Sequence, residues 1–480
     1  MSYALIFRGH NFEYEVQAVA KIFIPGVRFQ LYHGEEFPEA ENWILTEYDN
    51  HILHVEIHLH GKEYQKSLPT GQEQEFQLCQ MLYQGLQELT GYHPPWGMLT
   101  GIRPVRKVLD KLEQGLTPEQ ACLELKQKYQ ISDKKLQLAL DTALIQKKLL
   151  PHSLKEIGVY ISIPFCPTRC SYCSFVSHSI ESAKNLIPEY IQKLCEEVQI
   201  LGDMIQRYGL TVQSVYIGGG TPTSVSAEQL RSIMQAIQAH IDITHVREYT
   251  VEAGRADTIT EEKLQVIREM KADRISVNPQ TLQNTVLQEI GRCHTAEQAV
   301  EAFLLARKLG FDNINMDLIA GLPSDTIEGF SDTLRKVIQL NPDSITVHTL
   351  TVKRAGNLYH DEQYQHTETR TVERMAELSA NMLPEYGYQS YYLYRQKNTL
   401  GNLENVGYAK PGKENLYNIL IMDDRQTILG AGCGASSKII TPDGGLTRVM
   451  NYKFPYEYIH RFDELMKKKQ QIAAELEKFL

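Results

Sequence analysis

The 480-residue chain has no apolar run approaching the roughly 20 residues that span a bilayer. Its start, MSYALIFRGHNFEYE, places Arg8 and acidic residues where a secretory leader would continue its apolar core, which predicts a cytoplasmic protein without a membrane span. Cysteine is scarce: eight in so long a chain cannot form a disulfide scaffold, and in a reducing compartment they serve as thiols or metal ligands. Positive charge is also short, with 49 basic against 59 acidic side chains and a formal charge of -10. That balance argues against a general attraction to nucleic acid or anionic membrane. There is no low-complexity tract.

What is present is a succession of patterned segments. Residues 1–68 read as mostly strand-forming, in YALIF, VQAVAKIFI and ILHVEIHLH, and residues 72–150 turn to helix-period runs such as FQLCQMLYQGLQEL and LQLALDTALIQKKLL. Together they predict an accessory N-terminal domain over 1–150, β-rich and then helical. From Gly158 short apolar strands alternate with amphipathic helices: VYISI, SVYIG, YTVEA, RISVN, NINMDLIAG and DSITVHTL, separated by stretches such as AEQLRSIMQAIQAHI and IEGFSDTLRKVIQL. This rhythm implies a parallel sheet with helices packed outside it, an α/β fold over 151–360. In a barrel or partial barrel of this kind chemistry sits at the C-terminal strand ends. Residues 361–480 open with a helix (TVERMAELSANMLPEY) and include a glycine-rich GAGCGASS, which predicts a mainly helical C-terminal domain.

Directly after the first of these strands stand Cys166, Cys170 and Cys173 in CPTRCSYC. A loop this short can turn three thiolates toward one point, and thiolates suit a soft metal centre. A structural zinc site wants four protein ligands, whereas an iron-sulfur cube held by three cysteines keeps one iron open. Cys195, Cys293 or Cys433 could supply a fourth ligand, so cluster, zinc and plain thiols all stand as readings of the spacing.

The CxxxCxxC spacing after IPF resembles the signature of the radical S-adenosylmethionine (SAM) superfamily. Its members bind SAM to a [4Fe-4S] cluster and cleave it reductively to a 5'-deoxyadenosyl radical. Further strand ends, GGGTPT (Gly218–Thr223), Glu252 after YTV, Gln280 after ISVNP, GRCHT with Arg292 and His294, and Asp317 in DLIAGLP, resemble in order those of the oxygen-independent coproporphyrinogen III oxidase family. The run Tyr391–Asn418 and the extra N-terminal domain resemble its HemZ, or coproporphyrinogen dehydrogenase, branch. The resemblance implies a partial (β/α)6 radical SAM barrel, two cofactors ([4Fe-4S] and SAM) and a C-terminal domain like that of the family. Carried over residue by residue, Tyr160, Gly219, Glu252 and Ser436 would serve the cluster-bound SAM. Tyr172, Gly220, Thr221, Gln280, Arg292, Asp317 and Thr351 would line a second SAM.

The implied activity is oxidative decarboxylation of two propionates of coproporphyrinogen III to vinyl groups, giving protoporphyrinogen IX, with an electron donor such as flavodoxin or ferredoxin. A tetra-anionic, largely apolar macrocycle calls for basic partners, for which Arg169, Arg255, Arg354, Arg395 and Lys397 are candidates. Two residues depart from the oxidases' pattern: Ser162 stands where they have His, and Phe175 where they have a fourth Cys. The second departure is shared with the haem-chaperone branch, so haem binding, with His348 or Cys433 as iron ligand, is the alternative, as is chemistry on another tetrapyrrole.

Overall fold

The structure, a computed structural model, describes residues 2–37, 39–175, 178–353, 356–360, 368–396 and 399–479. Of the sequence candidates, Arg354 and Lys397 lie outside the described residues. The chain forms two compact units, Met1–Leu140 with Arg395–Leu403, and Asp141–Tyr394 with Glu404–Leu480.

The first unit is built on a five-stranded sheet of β1 (Tyr3–Arg8), β2 (Gln30–His33), β3 (Asn42–Asp49), β4 (Ile52–Leu59) and β5 (Lys62–Pro69), in the order β2-β1-β3-β4-β5. Along β4 the alternation predicted from ILHVEIHLH holds, with Leu53, Val55, Ile57 and Leu59 buried in the core. The segment VQAVAKIFI, expected as a strand, is instead a helix, Glu13–Phe23. Its buried residues Val16, Val19 and Ala20 fall at helical spacing, and Glu13 and Glu15 in its first turn with Lys21 in its last complement the helix dipole. Helix Gln74–Thr90 packs beside it, and both contribute to one core with the sheet. Arg395 lies buried in this unit, where its guanidinium donates to the carbonyls of Leu99, Gly101 and Asn402 and lies 5.6 Å from the Trp96 ring. It is therefore a strut, and its candidacy as a carboxylate partner lapses. Trp96 is core packing.

The second unit holds β6 (Glu156–Ile163), the short β7 (Phe165–Cys166) and β8 (His178–Ser179), then β9 (Thr211–Gly219), β10 (Glu248–Glu252), β11 (Arg274–Ser276), β12 (Ile314–Ala320) and β13 (Ser344–Thr349). β6, β9, β10, β11, β12 and β13 pair in parallel and in chain order, the six-stranded partial barrel expected from the sequence. Their near-continuous burial is that of strands covered on both faces. The outer helices Ala227–His240, Glu261–Glu269, Ala296–Lys308 and Ile327–Leu340 are each started by a hydroxyl cap, from Ser226, Thr260, Thr295 and Thr326. Such caps satisfy orphan N–H groups and fix where each loop gives way to helix.

The remaining strands are β14 (Gln389–Arg395), β15 (Glu404–Ala409), β16 (Thr427–Ala431), β17 (Ser436–Ile440) and β18 (Leu446–Met450), and all join the same sheet. β15 runs antiparallel to β13, whereas β16 returns to the opposite edge and pairs in parallel with β6. The C-terminal segment thus carries helices, as expected, together with five strands that extend the sheet at both edges. Segments 151–360 and 361–480 share one compact unit except for Arg395–Leu403, and the division we propose between them marks a change of topology. Helix Leu416–Asp423 sits at the N-terminal end of β10, where the Glu248 carboxylate accepts from the amides of Leu416 (2.6 Å) and Tyr417 (3.3 Å). It closes the end opposite to the cysteines.

Candidate functional site

Cys166 ends β7, and Cys170 and Cys173 follow in the same loop. Cys166 and Cys170 are buried, and the Cys173 amide donates to the Cys170 carbonyl at 3.1 Å, a tight turn that draws the last two together. The Cys173 thiol is pushed up to about 11, chiefly by burial and in smaller part by the Cys170 and Cys166 sulfurs, against a backbone hydrogen bond at Phe175. A thiol buried in this way needs a metal charge to become a thiolate. Among the described residues no three His, Cys, Asp or Glu side chains are gathered as for one metal ion. Three cysteines set around a larger inorganic cube need no such convergence, since each ligates its own iron. Two of the fourth-ligand candidates are engaged elsewhere, the Cys195 thiol donating to the Ser232 carbonyl and the Cys433 thiol to that of Lys453, while the Cys293 Sγ lies 3.8 Å from the Oγ1 of Thr168 in the cysteine loop itself.

Beside this loop the glycine segment leaving β9 forms a wall without side chains. A Cβ on Gly219, at φ +112°, would meet the Ser162 Oγ at 2.9 Å, and one on Gly220 would meet the Phe165 carbonyl oxygen at 2.6 Å. Only glycine allows that approach. The amides of Gly220 and Thr221 donate to the carbonyls of Ile163 and Phe165, and the Thr221 Oγ1 lies 3.5 Å from the Cys166 Sγ. The Ser162 hydroxyl donates to the Cys433 carbonyl at 2.8 Å, so it ties β6 to the glycine-rich turn after β16. That turn is anchored again where the Gly432 amide donates to buried Glu197 and the Cys433 amide to the Tyr190 hydroxyl. Ser436, just beyond it, has a buried Oγ without a hydrogen-bond partner. Phe175, which follows the cluster loop, is 68% exposed.

Inside the barrel Glu252 accepts a hydrogen bond from the Tyr216 hydroxyl. Burial raises its carboxyl to about 7, with the Asp317 charge adding to the rise and hydrogen bonds from Tyr216 and the Gly219 amide opposing it. Tyr160, Tyr216 and Tyr417 stack in its company, with the Tyr216 and Tyr417 centroids 4.3 Å apart. Burial would also raise Asp317, but His348, at 3.7 Å, and Asn315, donating at 2.6 Å, outweigh it and hold the carboxyl below its ordinary value. Gln280 adopts φ +67° beside β12, its amide donating to the Asp317 carbonyl at 2.9 Å. Its buried Oε1 has no hydrogen-bond partner, and neither have the Asn278 Oδ1 and the Arg292 Nε. Arg292 donates to the Asn278 carbonyl (2.6 Å) and the Tyr172 hydroxyl (3.1 Å), and it interacts electrostatically with Cys170. Thr351 lies just past β13, its hydroxyl donating to the Thr349 carbonyl at 3.3 Å.

The residues singled out from sequence therefore fall into two linked groups. Tyr160, Gly219, Glu252, Gln280 and Asp317 line the barrel interior through direct contacts or shared electrostatics, while Tyr172, Thr221 and Arg292 gather around the cysteines. The donor set, the glycine wall and the orphaned polar atoms fit a three-cysteine cluster with a polar, zwitterionic ligand beside it. One group escaped the sequence reading. Asp257 receives both arms of Arg255 and lies 3.7 Å from buried His294. Its only local signal was an opposite charge two residues from Arg255 in GRAD.

Comparison with known proteins supports the same reading. Residues 160–337 match the family model described as the radical SAM superfamily. The chain is 44% identical over 397 residues to the oxygen-independent coproporphyrinogen-III oxidase-like protein HemZ of Bacillus subtilis, covering 81% of this chain and 79% of that one. It is 29% identical over 304 residues to the haem chaperone HemW of Escherichia coli, covering 63% of this chain and 75% of the relative. Its fold is similar to that of coproporphyrinogen III oxidase (HemN) from Escherichia coli, a radical SAM enzyme, at a TM-score of 0.53 and 22% identity over 67% of this chain and 72% of the other.

Proposed function

The chain belongs to the radical SAM superfamily, in its branch of HemZ-like proteins, and from that premise we propose that it carries out the oxygen-independent oxidative decarboxylation of coproporphyrinogen III. The observation that carries this reading is the 44% identity to a coproporphyrinogen-oxidase-like relative over four fifths of the chain. A [4Fe-4S] cluster with SAM supplies a 5'-deoxyadenosyl radical when bound, and the chain's own groups do the rest. Cys166, Cys170 and Cys173 hold the metal centre. The Gly218–Gly220 wall lets the methionine end of SAM approach backbone, and Tyr160, Glu252 and Ser436 contact that same molecule.

Tyr172, Gly220, Thr221, Gln280, Arg292, Asp317 and Thr351 bind the second SAM. The substrate's propionates lie toward the mouth, and the site's burial keeps water from the reacting carbon. Electrons arrive from a small donor such as flavodoxin or ferredoxin. This reading places the protein in the cytoplasm, acting on a tetrapyrrole.

One observation favours a second reading. The Ser162 hydroxyl is tied to backbone and Phe175 is exposed, so neither offers the imidazole or thiol that the oxidases place beside the cluster. Haem delivery without turnover is the corresponding activity. The test is anaerobic incubation of the reconstituted protein with SAM, a reductant and coproporphyrinogen III, followed by mass spectrometry. Vinyl products with release of carbon dioxide are expected; stoichiometric haem binding with no new product would replace this reading by the second.

A further inference from the structure

Arg255 was a candidate for binding substrate carboxylates, yet its side chain is 4% exposed and its donors are all directed inward. Its Nε and one terminal nitrogen donate to the two oxygens of Asp257, at 3.0 and 2.6 Å. The other terminal nitrogen donates to the Thr168 carbonyl (2.9 Å), the Thr168 Oγ1 (3.0 Å) and the Cys170 Sγ (3.9 Å). Thr168 and Cys170 belong to the loop that carries the three cysteines. Asp257 holds the fork in one orientation and is itself backed by His294, whose ring is fully buried. The Thr168 hydroxyl passes the connection on to the Gly291 carbonyl at 3.1 Å, so the loop is clamped both from the end of β10 and from the turn after helix Asn284–Glu289.

We propose that Arg255 is a positioning residue of the metal centre, which fixes the Cys170 sulfur by an N–H···S bond and makes the bound cluster easier to reduce. This rests on the three-cysteine cluster reading above. The Arg255 guanidinium meets the Cys170 sulfur, the Arg292 charge also acts on that residue, and among the described residues Asp257 is the one carboxylate paired with Arg255. The surplus positive charge is buried, where it is poorly screened. A cluster gains one negative charge on reduction, so a nearby buried cation favours the reduced state, and hydrogen bonds to ligand sulfur act in the same direction. A planar fork does this better than a lysine ammonium, because it binds carboxylate, loop carbonyl and sulfur at once. The chemistry asked of a SAM-cleaving centre is that a cellular electron donor be able to reduce it.

The test uses the full chain, anaerobically reconstituted, as wild type, Arg255→Gln and Arg255→Lys. Iron and sulfide content and circular dichroism are measured first, then the reduced fraction of cluster by electron paramagnetic resonance at one fixed solution potential. A wild type that takes up no cluster defeats the cluster reading itself, before any variant is compared. With cluster present, Arg255→Gln is expected to keep its fold and iron while its reduced-to-oxidised ratio falls about tenfold, which is about 59 mV for a one-electron couple. Arg255→Lys recovers part of the loss. An unchanged ratio in Arg255→Gln overturns the proposal. If that variant fails to fold or to retain iron, Arg255→Lys is read alone: a lowered ratio at wild-type iron content supports the proposal and an unchanged ratio overturns it.

Discussion

Glu252 closes β10 inside the barrel, and its carboxyl is raised to about 7 chiefly by burial. The ordinary carboxyl value near 4.3 applies in the unfolded chain, so between these values the folded state binds the extra proton. Stability therefore falls as pH rises through that window and is lowest above about 7. Each pKa unit corresponds to about 1.4 kcal/mol, which makes the cost on the order of 3 kcal/mol. Glu252→Gln in the metal-free protein is expected to raise the melting temperature at pH 8 and to leave it nearly unchanged at pH 4; equal effects at both would remove the assigned cause. Gly219→Ala is expected to weaken SAM binding at least tenfold by equilibrium dialysis, because the positive φ and the Ser162 hydroxyl leave no room for a Cβ. The cysteines and the strand-end residues were legible because chemistry there is written in short, local patterns. Tyr216 as the partner of Glu252, and Asp257 as the partner of Arg255 and His294, were not, since those contacts depend on which strand ends become neighbours.

At the scale of elements, the six parallel strands and their outer helices were readable because period and length agree along the whole segment. Two elements were not. Helix Glu13–Phe23 mixes β-branched and apolar residues in a short run whose strand and helix periods nearly coincide, and its packing partners decide the outcome. β16 pairs in parallel with β6 from more than 250 residues away, and nothing local in TILGA announces that edge. The closing helix Leu416–Asp423 depends on Glu248 in a similar long-range way. Glu248→Ala leaves two buried amides without an acceptor, at about 1–3 kcal/mol each. Chemical denaturation should show a loss of about 2–6 kcal/mol with an unchanged slope, whereas a loss under 0.5 kcal/mol would mean that the helix is held by apolar packing alone.

For the whole molecule, two compact units share one chain, and the run YYLYRQKNTLGN that reads as continuous in sequence is divided between them at Arg395. Among the described residues no helix is long and apolar enough to cross a membrane. The surplus of acidic side chains leaves the buried guanidiniums near Cys170 as a local exception in a negatively charged protein. Everything proposed for function passes through the three cysteines, so the most direct test is made there. The purified, reconstituted protein is incubated without oxygen with SAM and dithionite, and 5'-deoxyadenosine is quantified for wild type and for Cys166→Ala, Cys170→Ala and Cys173→Ala. The account predicts deoxyadenosine from the wild type, and neither cluster absorption nor deoxyadenosine from any of the three variants. Deoxyadenosine formation by any single variant at the wild-type rate would contradict it.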